Sequence, residues 1–167
     1  SVYYTWLDAE ERHALAKLAE IESDFPNCVG IASGTLFPLA FEPEATDAPD
    51  YSGRKYGFSI TTMIICDYNK KIRYYLAGYP GSCHDYRVYN NTGFVKNPEA
   101  YFSGMEYNMA DSAFSNSLFM VSSYRKAKGE LLEADHEKFN SKLAKLRIRS
   151  KHCIGILKGR LPMLRSI

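Results

Sequence analysis

Two cysteine–histidine pairs, Cys83–His84 and His152–Cys153, contain residue types that could bind a metal ion. Two cysteines and two histidines suit tetrahedral zinc, but ligands that are adjacent in sequence chelate one ion poorly. The four cysteines are widely spaced and form no CxxC pair. We therefore favour reduced thiols in an intracellular protein over a zinc site.

Two aspartates are the next candidates for chemistry. Asp85 follows Cys83 and His84 near the start of a predicted short helix, and Asp111 comes at the end of a predicted strand. Considered alone, Asp85 is explained as a helix cap and Asp111 as a residue that stabilises a turn. Carboxylates that converge from such positions are also the oxygen ligands that Mg²⁺ prefers. Whether Asp85 and Asp111 could bind a metal ion together therefore depends on the elements that position them.

The apolar pattern predicts one domain over residues 1–167, beginning with the amphipathic helix TWLDAEERHALAKLAEIE and with Thr5 as a candidate N-cap. Strands are predicted at Cys28–Phe37, YGFSITTMIICD, KIRYYLAGYPG, EYNMADSAF and SLFMVSSY, and the second and third are joined by a hairpin. The segment EPEATDAPDYSGRK is predicted to be a loop.

Two further helices complete the prediction. A short helix opens at SCHDYRVYNNTG, with Ser82 as its cap and Gly93 as its stop, and a long helix covers LLEADHEKFNSKLAKLRIRSKHCIGILKGRL. The order helix, three strands, helix, two strands, helix predicts an α/β protein with a mixed five-stranded sheet flanked by helices. This is the layout of an RNase H-like fold.

The charge is unevenly distributed. Residues 142–167 contain eight Lys and Arg residues and no acid, while the remainder carries 13 basic and 19 acidic residues, a net charge of −6. Such a basic segment favours a polyanion or an acidic partner surface. The candidate nucleic-acid-binding residues are Arg147, Arg149, Lys158 and Arg160. No apolar run approaches the roughly 18–20 residues of a membrane span, so we expect no membrane partner.

Several motifs together resemble one known family. They are GIASGTLFPL, YSGRKYGFSI, AGYPGSCHDYRVYNNT, MADSAF and FNSKLAKLRIRSKHCIGILKGRLPML, and they cover residues of about 25–165 in family order. The chain resembles the nuclease domain of PIF/Harbinger-type transposases, which are DDE superfamily endonucleases. The DNA-binding segment usual at the N-terminus of this family does not precede the motifs, so the chain is expected to be a fragment of a longer protein.

The resemblance implies a site in which carboxylates hold two Mg²⁺ or Mn²⁺ ions for attack on a DNA phosphodiester. Two of the family's acidic positions correspond to Asp85 and Asp111. The position in the first strand is Ser33, and the glutamate position on the last helix is Lys151. We predict that these four residues converge as a degenerate site, with Lys151 paired to a carboxylate and with Asp85 and Asp111 as the only metal ligands, if any.

Nearby acids offer no evident replacement. Glu42 lies nine residues beyond Ser33, and Glu137 lies fourteen residues before Lys151. Asp67 is predicted at a hairpin, at the other end of its strand from the site. The preferred hypothesis is therefore a catalytically inactive, domesticated transposase-derived domain that needs no cofactor. The alternative is an active Mg²⁺-dependent endonuclease or transposase whose missing ligands are replaced by other groups.

The family also suggests a setting for this domain. Harbinger-like transposases work with a separate Myb-like DNA-binding partner. The resemblance therefore implies a nuclear module with a Myb-like or chromatin-associated protein partner, and DNA could bind through the basic C-terminal helix.

Overall fold

A computed structural model describes residues 6–43, 48–53, 57–126, 129 and 131–165. Five main strands and one very short strand form the sheet: β1 (Cys28–Pro38), β2 (Ser52–Gly53), β3 (Gly57–Cys66), β4 (Ile72–Pro80), β5 (Tyr107–Ala110) and β6 (Met120–Ser122). The helices are α1 (Ala9–Ser23), α2 (Ala48–Tyr51), α3 (Asp85–Asn90), α4 (Gly93–Lys96) and α5 (Ala134–Arg160). Short 3₁₀ turns follow at Pro98–Ala100 and Pro162–Arg165.

The main strands are arranged in the order β4-β3-β1-β5-β6, and β2 pairs with the start of β3. β3 is antiparallel to both of its main neighbours, β1 and β4, whereas β5 runs parallel to β1 and β6 runs parallel to β5. This mixed sheet with flanking helices confirms the predicted α/β fold of RNase H type. Because β1 and β5 are parallel neighbours, their carboxyl ends lie at the same edge of the sheet although they are distant in sequence.

The two faces of the sheet carry different helices. One core cluster contains Leu143 and Leu146 of α5, and the other contains Val88 and Phe94 of α3 and α4. Residues of β1 contribute to both clusters. Because neighbouring side chains of a strand point to opposite faces, α5 lies on one face and the α3–α4 pair on the other. No helix in the described part of the chain is long and apolar enough to cross a membrane.

Helix α5 confirms the predicted long helix and ends at Arg160, before Pro162. An apolar stripe lies along this helix: Leu143 and Leu146 are buried, and Phe139, Ile154 and Leu157 are half-buried, as is Leu132 just before the helix begins. Ser150 and Cys153 are also buried on this helix, so its inner face is longer and less apolar than the stripe alone indicated.

Three predicted boundaries differ from the structure. The capping residue of α1 is Asp8, whose carboxylate accepts a hydrogen bond from the backbone N–H of Glu11, while Thr5 lies outside the described residues. Helix α3 begins at Asp85 rather than under a Ser82 cap, and its N-cap is His84 without a side-chain hydrogen bond. The predicted loop before β3 contains α2 and β2 in its described part.

Gly93 does not end a helix but begins α4. Its backbone lies against the ring of Tyr101, and a Cβ at this position would overlap that ring. The glycine is therefore explained by a close approach between chain segments, which the sequence alone presents as an ordinary helix stop.

A buried ion pair fixes α1 to the segment before β5. The Arg12 side chain donates to the Glu106 carboxylate at 2.7 Å, to the carbonyl of Leu7 at 2.8 Å and to the hydroxyl of Ser103 at 2.7 Å. The side chains of Arg12 and Glu106 are only 8% and 12% exposed. Because the Glu106 carboxylate is buried, the cost of removing it from water is offset only while Arg12 is paired with it.

Replacing Arg12 by alanine should therefore reduce the free energy of unfolding by about 3 kcal/mol, because Glu106 remains buried without its cation. Urea denaturation followed by circular dichroism measures this change. The matched control is Lys17→Ala on the exposed face of α1, which we expect to stay within about 0.5 kcal/mol of wild type. Equal effects of the two changes would contradict a structural role for the ion pair.

Candidate functional site

Ser33 lies in β1, buried, on the face of the sheet that carries α5. The pairing of Ile31 with Met109 in the parallel strands sets the register, and both residues belong to the α5 cluster. Ser33 lies two residues after Ile31, and Asp111 lies two residues after Met109. Because side chains alternate between the two faces of a strand, both side chains point to the face that carries α5. The structure therefore brings these two predicted site residues into neighbouring positions.

Asp85 approaches β1 from the other side. As the first residue of α3, it lies against the backbone of Gly34, and a Cβ on Gly34 would overlap its carboxylate. The glycine next to Ser33 thus allows the start of α3 to contact the strand directly. Asp85 is not the N-cap, so the helix-cap explanation for this aspartate is wrong.

The environment of Asp85 disfavours its charge. Burial raises the pKa of the Asp85 carboxyl, the nearby Asp111 carboxylate raises that pKa further, and His84 lowers it. The effect of Asp111 shows that the two acids are within electrostatic reach of each other. Among the described residues, no side chain forms an ion pair or hydrogen bond with the Asp85 carboxylate.

Asp111 follows β5, and both of its carboxylate oxygens are engaged. Oδ1 accepts a hydrogen bond from the backbone N–H of Ala113 at 2.9 Å, as expected for an aspartate that stabilises a turn. Oδ2 accepts one from Nη2 of Arg147 on α5 at 2.7 Å. The Arg147 side chain is 18% exposed and that of Asp111 is 32% exposed, so water screens this ion pair only in part.

Lys151 does not take the predicted place beside a carboxylate. Its side chain is exposed, and it forms no ion pair with any residue that the structure describes. Lys151 lies one helical turn, about 6 Å, beyond Arg147 along α5. The cation that neutralises an acid of the site is therefore Arg147, and the prediction that Lys151 pairs with Asp85 or Asp111 is wrong.

Three of the four candidate nucleic-acid-binding residues are engaged within the protein. Besides Arg147, the guanidinium of Arg149 lies over the ring of Tyr68, 3.7 Å from its centroid, and donates to the Tyr68 hydroxyl at 2.8 Å. Lys158 donates to the carbonyl oxygen of Leu36 at 2.6 Å. Arg160 is exposed.

A cavity of about 530 Å³ opens beside Asp85. Its walls come from the second half of β1, the loop before α3 and the end of α5, with Thr35, Ser82, Asp85 and Lys158 among the lining residues. Burial lowers the pKa of the Lys158 ammonium. The cavity therefore holds one carboxylate and one ammonium among hydroxyl groups.

These side chains do not fit a two-metal centre. Such a centre needs several carboxylates that share two ions. Of the four family positions only Asp85 and Asp111 are acidic, and the second is already held by Arg147 and by a backbone N–H. Of the two carboxylates at these positions, Asp85 is the one without an ion pair or hydrogen bond among the described side chains.

Sequence reasoning missed the role of Arg147 and the contact of Lys158 with β1. The sequence does contain one signal for these two contacts. Positions 147 and 158 lie on the same flank of a helix of 3.6 residues per turn as position 151, the family's glutamate position. The contact between Gly34 and Asp85 had no comparable signal, because it depends on how α3 packs on the sheet.

Residues 33–167 match the family described as DDE superfamily endonuclease. Comparison with curated proteins and with solved structures gives no significant match. The family match covers more than half of the chain, and it includes the sheet edge, the start of α3 and all of α5. The chain belongs to the DDE superfamily endonucleases.

Proposed function

We propose that this domain is a catalytically inactive, domesticated Harbinger transposase-derived module that acts in the nucleus by binding another macromolecule. The observation that carries the proposal is the ion pair between Arg147 and Asp111. An acid that would hold a metal ion in an active relative is neutralised here by a side chain of the protein itself. Ser33 and Lys151, at the other two family positions, supply no carboxylate.

The charges at the site support this proposal. Asp85 and Asp111 contribute two negative charges, and Arg147, which pairs with Asp111, contributes one positive charge. A nominal charge of −1 contrasts with the strongly acidic site that two divalent ions require. Magnesium also gives up its water ligands reluctantly, so a single free carboxylate is a weak competitor for it.

A protein is the preferred partner, Myb-like or chromatin-associated as the family resemblance suggests. Arg147, Arg149 and Lys158 are occupied by intramolecular contacts, which reduces the positive charge available to a DNA backbone. DNA is the second candidate, because Lys145, Lys151 and Arg160 of α5 remain exposed.

The alternative function, an active metal-dependent endonuclease, is favoured by one observation. Asp85 and Asp111 are retained and interact electrostatically, as two carboxylates that share a metal ion do.

Wild-type protein should not nick supercoiled plasmid DNA in the presence of Mg²⁺ or Mn²⁺, because the site lacks the carboxylates for two-metal catalysis. Gel electrophoresis of the plasmid gives the readout. Introducing the missing acids as Ser33→Asp and Lys151→Glu, together with Arg147→Gln to release Asp111, should produce metal-dependent nicking if the scaffold has kept its geometry.

Metal-dependent nicking by wild type that disappears in Asp85→Asn would refute the inactive assignment and support the endonuclease alternative. The matched control is Asp135→Asn, which changes an exposed acid in the first turn of α5. Activity that persists in both variants would indicate a contaminating nuclease.

The two acids should have opposite effects on stability at pH 7. Asp85→Asn should stabilise the protein, since it removes a carboxylate that is half-buried and unpaired. Asp111→Asn should lower the free energy of unfolding by about 1 kcal/mol or more, because Arg147 loses its partner. Thermal unfolding of both variants measures the difference.

The pH dependence follows from the direction of the pKa shift. A raised pKa means that folded Asp85 holds its proton more tightly than the unfolded chain does. Wild type should therefore be less stable than Asp85→Asn at pH 7, and this difference should shrink as pH falls through the pKa of folded Asp85. The difference should vanish below the unfolded pKa of about 3.9. A destabilising effect of Asp85→Asn at pH 7 would show that Asp85 has a stabilising partner.

If DNA is bound, it should be bound weakly through phosphates by the exposed cations of α5. Changing Lys145, Lys151 and Arg160 together to glutamine should then lower the slope of log affinity against log salt by about 3, since each phosphate contact contributes close to one unit. Fluorescence anisotropy with a labelled duplex measures this slope. An unchanged slope would place the DNA contacts elsewhere on the protein.

A further inference from the structure

Asp85 differs from the other shielded acids of the described chain. Asp67 pairs with Arg73 at 2.7 Å, Glu106 pairs with Arg12 at 2.7 Å, and Asp111 pairs with Arg147 at 2.7 Å. Asp85 is half-buried, but no arginine or lysine of the described chain pairs with it. A carboxylate in this position remains costly until a cation compensates it.

The cavity beside Asp85 has room for such a cation. Its volume of about 530 Å³ lies within the range of ligand-binding pockets. Thr61 contributes a hydroxyl close to the carbonyl oxygens of Gly81 and Cys83, at 3.5 and 3.4 Å. Thr61, Gly81 and Cys83 line the cavity together with Asp85. A donor with several N–H groups suits a carboxylate among such polar groups.

We propose that this cavity receives an arginine or lysine side chain of a partner protein, whose cation pairs with Asp85. The inference rests on the proposed function, and it names the chemistry of the protein partner. A guanidinium fits best, since its planar array of five donors can satisfy the carboxylate and the neighbouring oxygens together. Lys158, whose ammonium donates to the Leu36 carbonyl, forms the α5 wall of the same cavity.

Other occupants fit this cavity less well. A phosphate group would bring negative charge towards Asp85 and Asp111, which already repel each other. A divalent metal ion would find only one free carboxylate. A small neutral ligand would leave the charge of Asp85 uncompensated.

The test uses the capped peptide acetyl-Gly-Arg-Gly-amide and its citrulline analogue, which keeps the shape of arginine but removes the charge. Each peptide is titrated into isotopically labelled wild-type protein, and amide chemical shifts are followed by NMR. We expect saturable shifts at Gly34, Thr35 and Asp85 with the arginine peptide and no saturation with the citrulline peptide.

Asp85→Asn should weaken binding of the arginine peptide by about tenfold or more, the effect of losing one charge-assisted hydrogen bond. The variant is expected to be folded, since it removes an unpaired carboxylate. Asp135→Asn, an exposed acid in the first turn of α5, is the matched control and should bind the peptide as wild type does.

Unchanged affinity in Asp85→Asn, equal binding of the citrulline peptide or no saturable shift would overturn the inference. Saturable shifts of the same amides by a short DNA duplex instead of the peptide would also overturn it and assign the cavity to a phosphate. Failure of the proposed function has a different signature, namely saturation of these amides by Mg²⁺. Absence of both peptide and metal binding would overturn the side-chain inference alone.

Discussion

The ion pair between Arg147 and Asp111 links the two halves of the candidate site. Asp111 stands at the end of β5, and Arg147 stands on the helix that covers that face of the sheet, with 2.7 Å between the paired atoms. An active DDE endonuclease uses divalent ions to hold carboxylates of a strand and a helix together. In this structure the Arg147 guanidinium supplies positive charge to Asp111 from within the chain.

The rest of the fold does not depend on this ion pair. The sheet is held by its backbone pairing and by two apolar clusters, one under α5 and one under α3 and α4. Buried ion pairs at Arg12 and at Asp67 stabilise regions away from the site. Asp85 is the exception, since its carboxylate lies against Gly34 and pairs with no arginine or lysine in the part of the chain that the structure describes.

The sequence predicted the elements better than their contacts. Long β-rich runs and the apolar stripe of α5 identify strands and helix because their periods differ. Alternation along β1 and β5 was sufficient to place Ser33 beside Asp111, once their parallel register was known. The sequence could not show whether Arg147 or Lys151 pairs with an acid of the site. Both lie on one flank of α5, and which of them reaches Asp111 depends on where the helix lies over the sheet. Gly93 was misinterpreted for a similar reason, since Tyr101 approaches it from another segment.

The most direct test of this account asks whether a divalent ion enters the site at all. Manganese is paramagnetic and broadens the amide signals of residues near it, so a titration of labelled wild-type protein with Mn²⁺ locates any bound ion. We expect no saturable broadening at Gly34, Asp85 and Ala113, because Arg147 already neutralises Asp111. Saturable broadening centred on these amides, and its loss in Asp85→Asn, would contradict the claim that a protein side chain has replaced the metal.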